Sequence, residues 1–224
     1  MRQLPKDFPR DLSPSDVCLI VGKRGTGKST SAKALAGFLM EAGHAVVAFD
    51  PHDEYSQRGR KSEQVYLGPL HDRVTVAELE RDPSALDTRG SLAVVPSLHR
   101  RECAADFGTF VQLIQDTGDV ATIVEEVGLL SELAADELNE LATQSRHYAI
   151  PLVLVAQRMT QIPKTARTQA SVVVSFLQSN PDDLDALADL ADGDKELAAR
   201  VRSLPAGECV VWRDTTKPRK RKGT

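Results

Sequence analysis

The run VCLIVGKRGTGKST, residues 17–30, limits what this chain can fold into more than any other stretch. Gly22-Lys23-Arg24-Gly25-Thr26-Gly27-Lys28-Ser29 fits G-x-x-x-x-G-K-[ST], the Walker A phosphate loop, and it follows an apolar run and precedes a helical pattern as that motif requires. VCLIV is β-branched and apolar, which suits a strand buried on both faces. The glycines let the backbone curl until successive N–H groups point inward, and the next helix turns its positive end to the same anion. The spacing therefore predicts an ATP site made by Gly22, Lys23, Arg24, Gly25, Thr26, Gly27, Lys28, Ser29 and Thr30. Lys28 is expected on the β and γ oxygens and the Ser29 hydroxyl on Mg²⁺. The helix that follows carries Ala32, Leu35, Ala36 and Leu39 on one face and stops at Gly43.

Further strands and helices alternate along the chain. HAVVAFDPHDEY reads as a second strand ending at Asp50 with a polar turn at Pro51, and SLAVVPS, VATIVEEVGLL, IPLVLVAQR and ASVVVSFL read as the next four. Between them CAADFGTFVQLIQDTG and SELAADELNELATQSRHYA have helical spacing, the second opened by Ser131, and two short acidic helices precede a closing strand in ECVVWRD. This alternation predicts an α/β fold with a mostly parallel central sheet and helices on both faces. One domain is expected over 17–213, after an N-terminal extension at 1–16 and before a basic tail at 214–224; a polar excursion at about 56–90 holds a short strand or helix.

Composition narrows the class. With 41% apolar and 27% charged residues the chain is an ordinary globular one, and no apolar run reaches the ~18 residues of a membrane span. The polar, proline-containing start does not read as a signal peptide, and three well-separated cysteines without CxxC spacing read as thiols of a reducing cytoplasm. A net charge of −4 excludes a polycation, but the end, KPRKRKGT, is strongly basic: either an arm for nucleic-acid phosphates or a solvated end.

A phosphate loop binds nucleotide, and hydrolysis needs more. ATIVEEV sets two carboxylates at the C-terminal end of a buried strand, where ligands of open α/β sheets bind. In this Walker B arrangement Glu125 is expected on the Mg²⁺ shell and Glu126 on the attacking water. Gln157 ends the next strand, with Arg158 beside it; spacing alone gives such a strand end no role, though strand order in these sheets can set it beside the Walker B strand, where its amide would sense the γ-phosphate or hold the water.

Taken together, LIVGKRGTGKST, FDPHDEY, TIVEEVGLL and IPLVLVAQRMTQIPKTARTQASVVVSF resemble the HerA/FtsK superfamily of DNA-pumping ATPases, from about Val17 to Trp212. The resemblance implies a RecA-like P-loop NTPase core, ATP held between the subunits of a ring, usually six, and double-stranded DNA moving through its centre. It also implies an arginine that approaches a neighbour's γ-phosphate; Arg146 is the first candidate, then Arg158 and Arg167. DNA contact is expected from RMTQIPKTARTQ, with Arg158, Lys164 and Arg167, and from PSLHRRECA, with Arg100 and Arg101. Two positions depart from the family: Glu125 stands where Asp is more common, and Asp53 stands where the family usually has Gly. A bare core of this size is most similar to the genome-packaging ATPases of membrane-containing icosahedral viruses and related prophage elements, which implies the host cytoplasm or a virion, with a capsid, portal or nuclease to dock.

Other nucleotide-binding classes fit less well. There is no guanine-reading Asn/Thr-Lys-x-Asp and no Ser-Gly-Gly-Gln signature. A small P-loop kinase would use an arginine-rich lid, for which RGRKSEQ is short and lacks an apolar hinge, while a protein that binds ATP only to assemble would not need Glu126 and Gln157.

Overall fold

Every residue of VCLIV is buried, because β1 (Val17–Val21) takes a central place in a sheet covered on both sides. A computed structural model describes residues 4–56, 72–86 and 91–216. After β1 come α1 (Lys28–Glu41), β2 (Ala45–Phe49), β3 (Asp72–Thr75), α2 (Val76–Arg81), β4 (Ser91–Val95) and α3 (Arg100–Thr117). The second half holds β5 (Val120–Val124), α4 (Val127–Leu130), α5 (Ala135–Gln144), β6 (Leu152–Ala156), α6 (Lys164–Thr168), β7 (Val172–Phe176), α7 (Pro181–Leu190), α8 (Lys195–Arg202) and β8 (Cys209–Arg213).

The strands form one sheet in the order β3-β4-β2-β5-β6-β1-β7-β8, parallel throughout except for β8 at the edge. All parallel strands therefore end on the same edge, and that edge carries the phosphate loop, the twin glutamates and Gln157. In β1 the side chains alternate as a pleated strand requires. Val17, Leu19 and Val21 join the core against α3, α5 and α7, including Phe107, Phe110, Leu138 and Leu184. Cys18 and Ile20 join the core under α1, with Ala32, Leu35, Ala36 and Leu39.

Residues 4–16, ahead of β1, pack onto this second core. Phe8 and Leu12 are buried in it, and Asp16 accepts hydrogen bonds from the Ser171 hydroxyl at 2.6 Å and from the Ser13 N–H at 2.7 Å.

Several boundaries differ from the sequence expectation. The helix expected to open at Ser131 opens at Ala135: Ser131 closes α4 instead, its hydroxyl donating to the Gly128 carbonyl at 3.1 Å. The helix expected from Cys103 starts at Arg100, so Arg100 and Arg101 stand on its first turn and not on a loop. Within the polar excursion, RVTVAEL divides at Thr75, whose hydroxyl accepts the Glu78 N–H while the Glu78 carboxylate accepts the Thr75 N–H; this capping box turns β3 into α2. RGRKSEQ and the basic end KPRKRKGT lie outside the described residues.

A candidate nucleotide site at the phosphate-loop edge

The loop between β1 and α1 is built by close backbone approach. The Lys23 N–H donates to the Leu177 carbonyl at 3.0 Å, tying the loop to the end of β7. Gly22 lies so near β7 that a Cβ there would come 2.5 Å from the Phe176 Cβ, and Gly27, with φ 109°, packs against the Phe176 ring. Thr26 is buried and its hydroxyl donates to the Lys23 carbonyl at 2.7 Å. Lys23, Arg24, Gly25 and Thr30 are exposed, and Ser29 is half-buried.

α1 begins with no side-chain cap and no acidic residue in its first turn, unlike α2, α7 and α8, which Thr75, Asn180 and Asp194 cap. Its first N–H groups and positive dipole end are thus left for an anion. Lys28 is buried, and its ammonium donates to the Lys23 carbonyl at 3.1 Å. Burial pulls its pKa below the ordinary lysine value, while the charges of Glu126 and Glu125 oppose that shift. The lysine and the two glutamates therefore share one electrostatic neighbourhood, although β6 separates their strands.

Glu125 and Glu126 have different surroundings. Phe49 stands opposite Val124, so Asp50 and Glu125 leave β2 and β5 side by side. Glu125 is buried, and its Oε1 accepts the Tyr55 hydroxyl at 2.8 Å. Burial pushes its carboxyl up to about 7, with Asp50, Glu54 and Glu126 adding to the rise and the Tyr55 hydrogen bond opposing it. Burial likewise lifts Asp50 to about 6, against the Tyr55 N–H that it accepts at 2.8 Å. Glu126 is half-buried and sits in the left-handed region, φ 49° and ψ 48°, which few non-glycine residues adopt. That backbone turns it away from the strand line, and the Gln157 amide lies 3.3 Å from its Oε2 and 3.5 Å from its Oε1.

Asp53 resolves one of the departures noted in the sequence. It has φ 51°, the conformation a glycine would take with ease and an aspartate tolerates, and it is held there by Arg73 at 2.9 Å and the Ser56 hydroxyl.

Of the remaining predicted residues, Arg158 stands at the rim of this site, lining a pocket with Lys23, Arg24 and Gln157, and the others lie outside it. Arg158 donates from Nε to buried Asp183 at 3.0 Å, in a cluster that also holds the Thr160 N–H and hydroxyl. Arg146 is exposed in the turn ahead of β6, at the opposite end of the sheet from its own phosphate loop. Arg100 donates to Glu132 at 2.7 Å beside the phosphate-loop edge, whereas Lys164 and Arg167 lie on α6 in a groove with Asp189, Trp212 and Asp214. Both sets stand on helices, and they form two patches rather than one.

Sequence reasoning missed Phe176, which fits under the glycines and carries no signal at its own position beyond being an aromatic residue at a strand end; Tyr55 closes the FDPHDEY stretch, but its reach to Glu125 was not foreseen. Asp183 was hidden in an acidic run that reads as a solvated helix face. No helix among the described residues is long and apolar enough to cross a membrane.

A strand–glycine loop–helix with an open helix terminus, set in a parallel sheet, defines a P-loop NTPase fold. The chain belongs to the family of the HerA helicase central domain, whose sequence profile matches residues 15–150. No curated protein sequence matches it. Among solved structures it is similar to the genome packaging NTPase B204 of Sulfolobus turreted icosahedral virus 2 in complex with ATP-gammaS, at 16% identity and TM-score 0.65 over 89% of this chain and 92% of that one. The AMPPCP complex of the same protein gives 15% identity and TM-score 0.66 over 92% and 95%. VirB4 of Thermoanaerobacter pseudethanolicus gives 14% identity and TM-score 0.64 over 88% and 87%. At these identities the likeness establishes the fold.

Proposed function

We propose that this chain is an ATPase that moves double-stranded DNA, a HerA/FtsK-type motor for genome packaging or DNA pumping that works as a ring of identical subunits, six by resemblance to its family. One observation carries the reading: Lys28 opens the uncapped helix after β1, Glu125 and Glu126 follow β5 on the same edge, and Glu126 is held by Gln157 at the end of β6 between those strands. A pure nucleotide-binding module needs the first of these groups only.

In this reading the loop N–H groups and Lys28 bind the β and γ phosphates. The cleft beside the loop, about 860 Å³ and lined by Thr30, Ala34, Phe38, Phe176, Lys6 and Arg10, has room for the base and sugar. Glu126 takes a proton from water as its oxygen bonds to the γ-phosphorus, and the bridging P–O bond breaks to release ADP and phosphate. Gln157 fixes the carboxylate through this step.

The donor set fits Mg²⁺: Ser29 supplies a hydroxyl, and Oε2 of Glu125 makes no hydrogen bond among the described residues. Those two residues would hold the ion, which when bound neutralises charge on the phosphate oxygens. No group of three or more His, Cys, Asp or Glu among the described residues is arranged to hold a metal, so part of the ion's shell would come from the nucleotide.

Arg146 faces away from its own site, which suits an arginine that serves a neighbour, while Arg158 is engaged by Asp183. Arg100, Arg101, Lys164 and Arg167 are the candidates for phosphate contact with DNA, and such contacts carry no base information. A capsid, portal or nuclease would dock the ring.

The test is the ATP turnover of the purified protein with and without duplex DNA, alongside its solution mass. The reading predicts stimulation by DNA of unrelated sequences, weakening as salt rises, and a mass several times that of one chain. Turnover indifferent to DNA, with phosphate passed to a small acceptor, would favour a kinase.

A further inference from the structure

Carboxylate side chains rotate freely about their last torsion, whose preference is broad. Mg²⁺ by contrast demands near-octahedral geometry at about 2.0–2.1 Å, so a carboxylate in its shell works best when one oxygen is kept in place. Among the described residues Glu125 has one side-chain hydrogen-bond partner, the Tyr55 hydroxyl, and that partner occupies Oε1.

The tyrosine is itself well fixed. It is fully buried, and its N–H donates to Asp50 at 2.8 Å. The Lys33 ammonium lies 5.2 Å from the ring centroid and also bonds Glu54 at 3.2 Å. Lys33 stands one helical turn beyond Ser29 on α1. The turn after β2 is thus anchored both to the strand end that presents Glu125 and to the helix that presents Ser29.

We infer that Tyr55 is a positioning residue: its hydroxyl holds Oε1 of Glu125 so that Oε2 alone is turned toward the cation of a bound nucleotide. The inference rests on the ATP reading of the site and adds to it the residue that sets the carboxylate's geometry. Partners of metal-ligating groups typically change metal affinity 10–100-fold when removed.

The test uses the full chain with ATP-gammaS and Mn²⁺ as a spectroscopic stand-in for Mg²⁺, counting free Mn²⁺ by electron paramagnetic resonance. Tyr55→Phe should bind ATP-gammaS in EDTA as the wild type does. Its nucleotide complex should hold Mn²⁺ about tenfold more weakly. In a Glu125→Gln background the same substitution should cause no further loss of Mn²⁺ affinity. This background removes the buried charge; if Tyr55→Phe alone does not fold, a loss of Mn²⁺ affinity on adding it here would overturn the positioning role. Wild-type Mn²⁺ affinity in Tyr55→Phe, or an equal loss with and without Glu125, would overturn the positioning role while leaving the ATP site intact. A wild-type protein that binds no ATP-gammaS, or binds it with no effect of Mn²⁺, would overturn the ATP reading and this inference with it.

Discussion

Gly22 shows how much of this site rests on the absence of a side chain. A Cβ there would stand 2.5 Å from Phe176 Cβ, an atom that no rotamer change can move aside. Gly22→Ala must therefore displace either the loop or β7. It should lower stability by about 1–3 kcal/mol, the usual cost of overpacking, and raise the KM for ATP because the displaced atoms carry the phosphate donors. Chemical denaturation and steady-state kinetics would measure the two effects; an alanine variant matching the wild type in both would remove this account of the loop. The phosphate loop was fully legible in the sequence because its logic is local: eight consecutive residues set the curl, the charge and the hydroxyl. Phe176 and Tyr55 were not, because their meaning comes from what lies opposite them, and only the order of strands brings β7 under Gly22 and β2 beside Glu125. The partner of Arg158 was hidden for the same reason. A basic residue at a strand end is open to many roles until Asp183 is found against it.

Among elements, the junction of β6 with α7 deserves a test of its own. Asp183 is 1% exposed and accepts from Arg158, from the Thr160 N–H at 3.0 Å and from the Thr160 hydroxyl at 2.7 Å, fastening the segment after Gln157 to the first turn of α7. Asp183→Ala would leave a backbone donor unpaired and release Arg158, so a loss of about 1–3 kcal/mol is expected, read by denaturant titration; Asp183→Asn, which keeps one acceptor, should lose less. Equal stability of the alanine variant and the wild type would show that the junction is held by packing instead. The elements themselves were well marked in the sequence where burial was continuous, as in β1, β5, β6 and β7, whose residues are all buried. Boundaries failed where a polar residue had two possible jobs. Ser131 has the chemistry of a helix opener but closes α4, and the first turn of α3 consists of Arg100, Arg101 and Glu102, which apolar periodicity does not register.

At the scale of the whole molecule, the sheet order places β6 between the Walker strands and points all the parallel strands at one edge, so residues far apart in sequence meet at that edge of the sheet. The opposite edge carries Arg146, away from its own phosphate loop. The claim beneath the whole account is that Lys28 and Glu126 act on the same triphosphate, one by binding it and the other by activating water against it. The direct measurement is ATP affinity and turnover for Lys28→Ala and Glu126→Gln side by side. The account predicts that Lys28→Ala loses nucleotide binding, while Glu126→Gln binds ATP as the wild type does and turns it over about 10²–10⁴-fold more slowly. Hydrolysis at the wild-type rate by Glu126→Gln would contradict it.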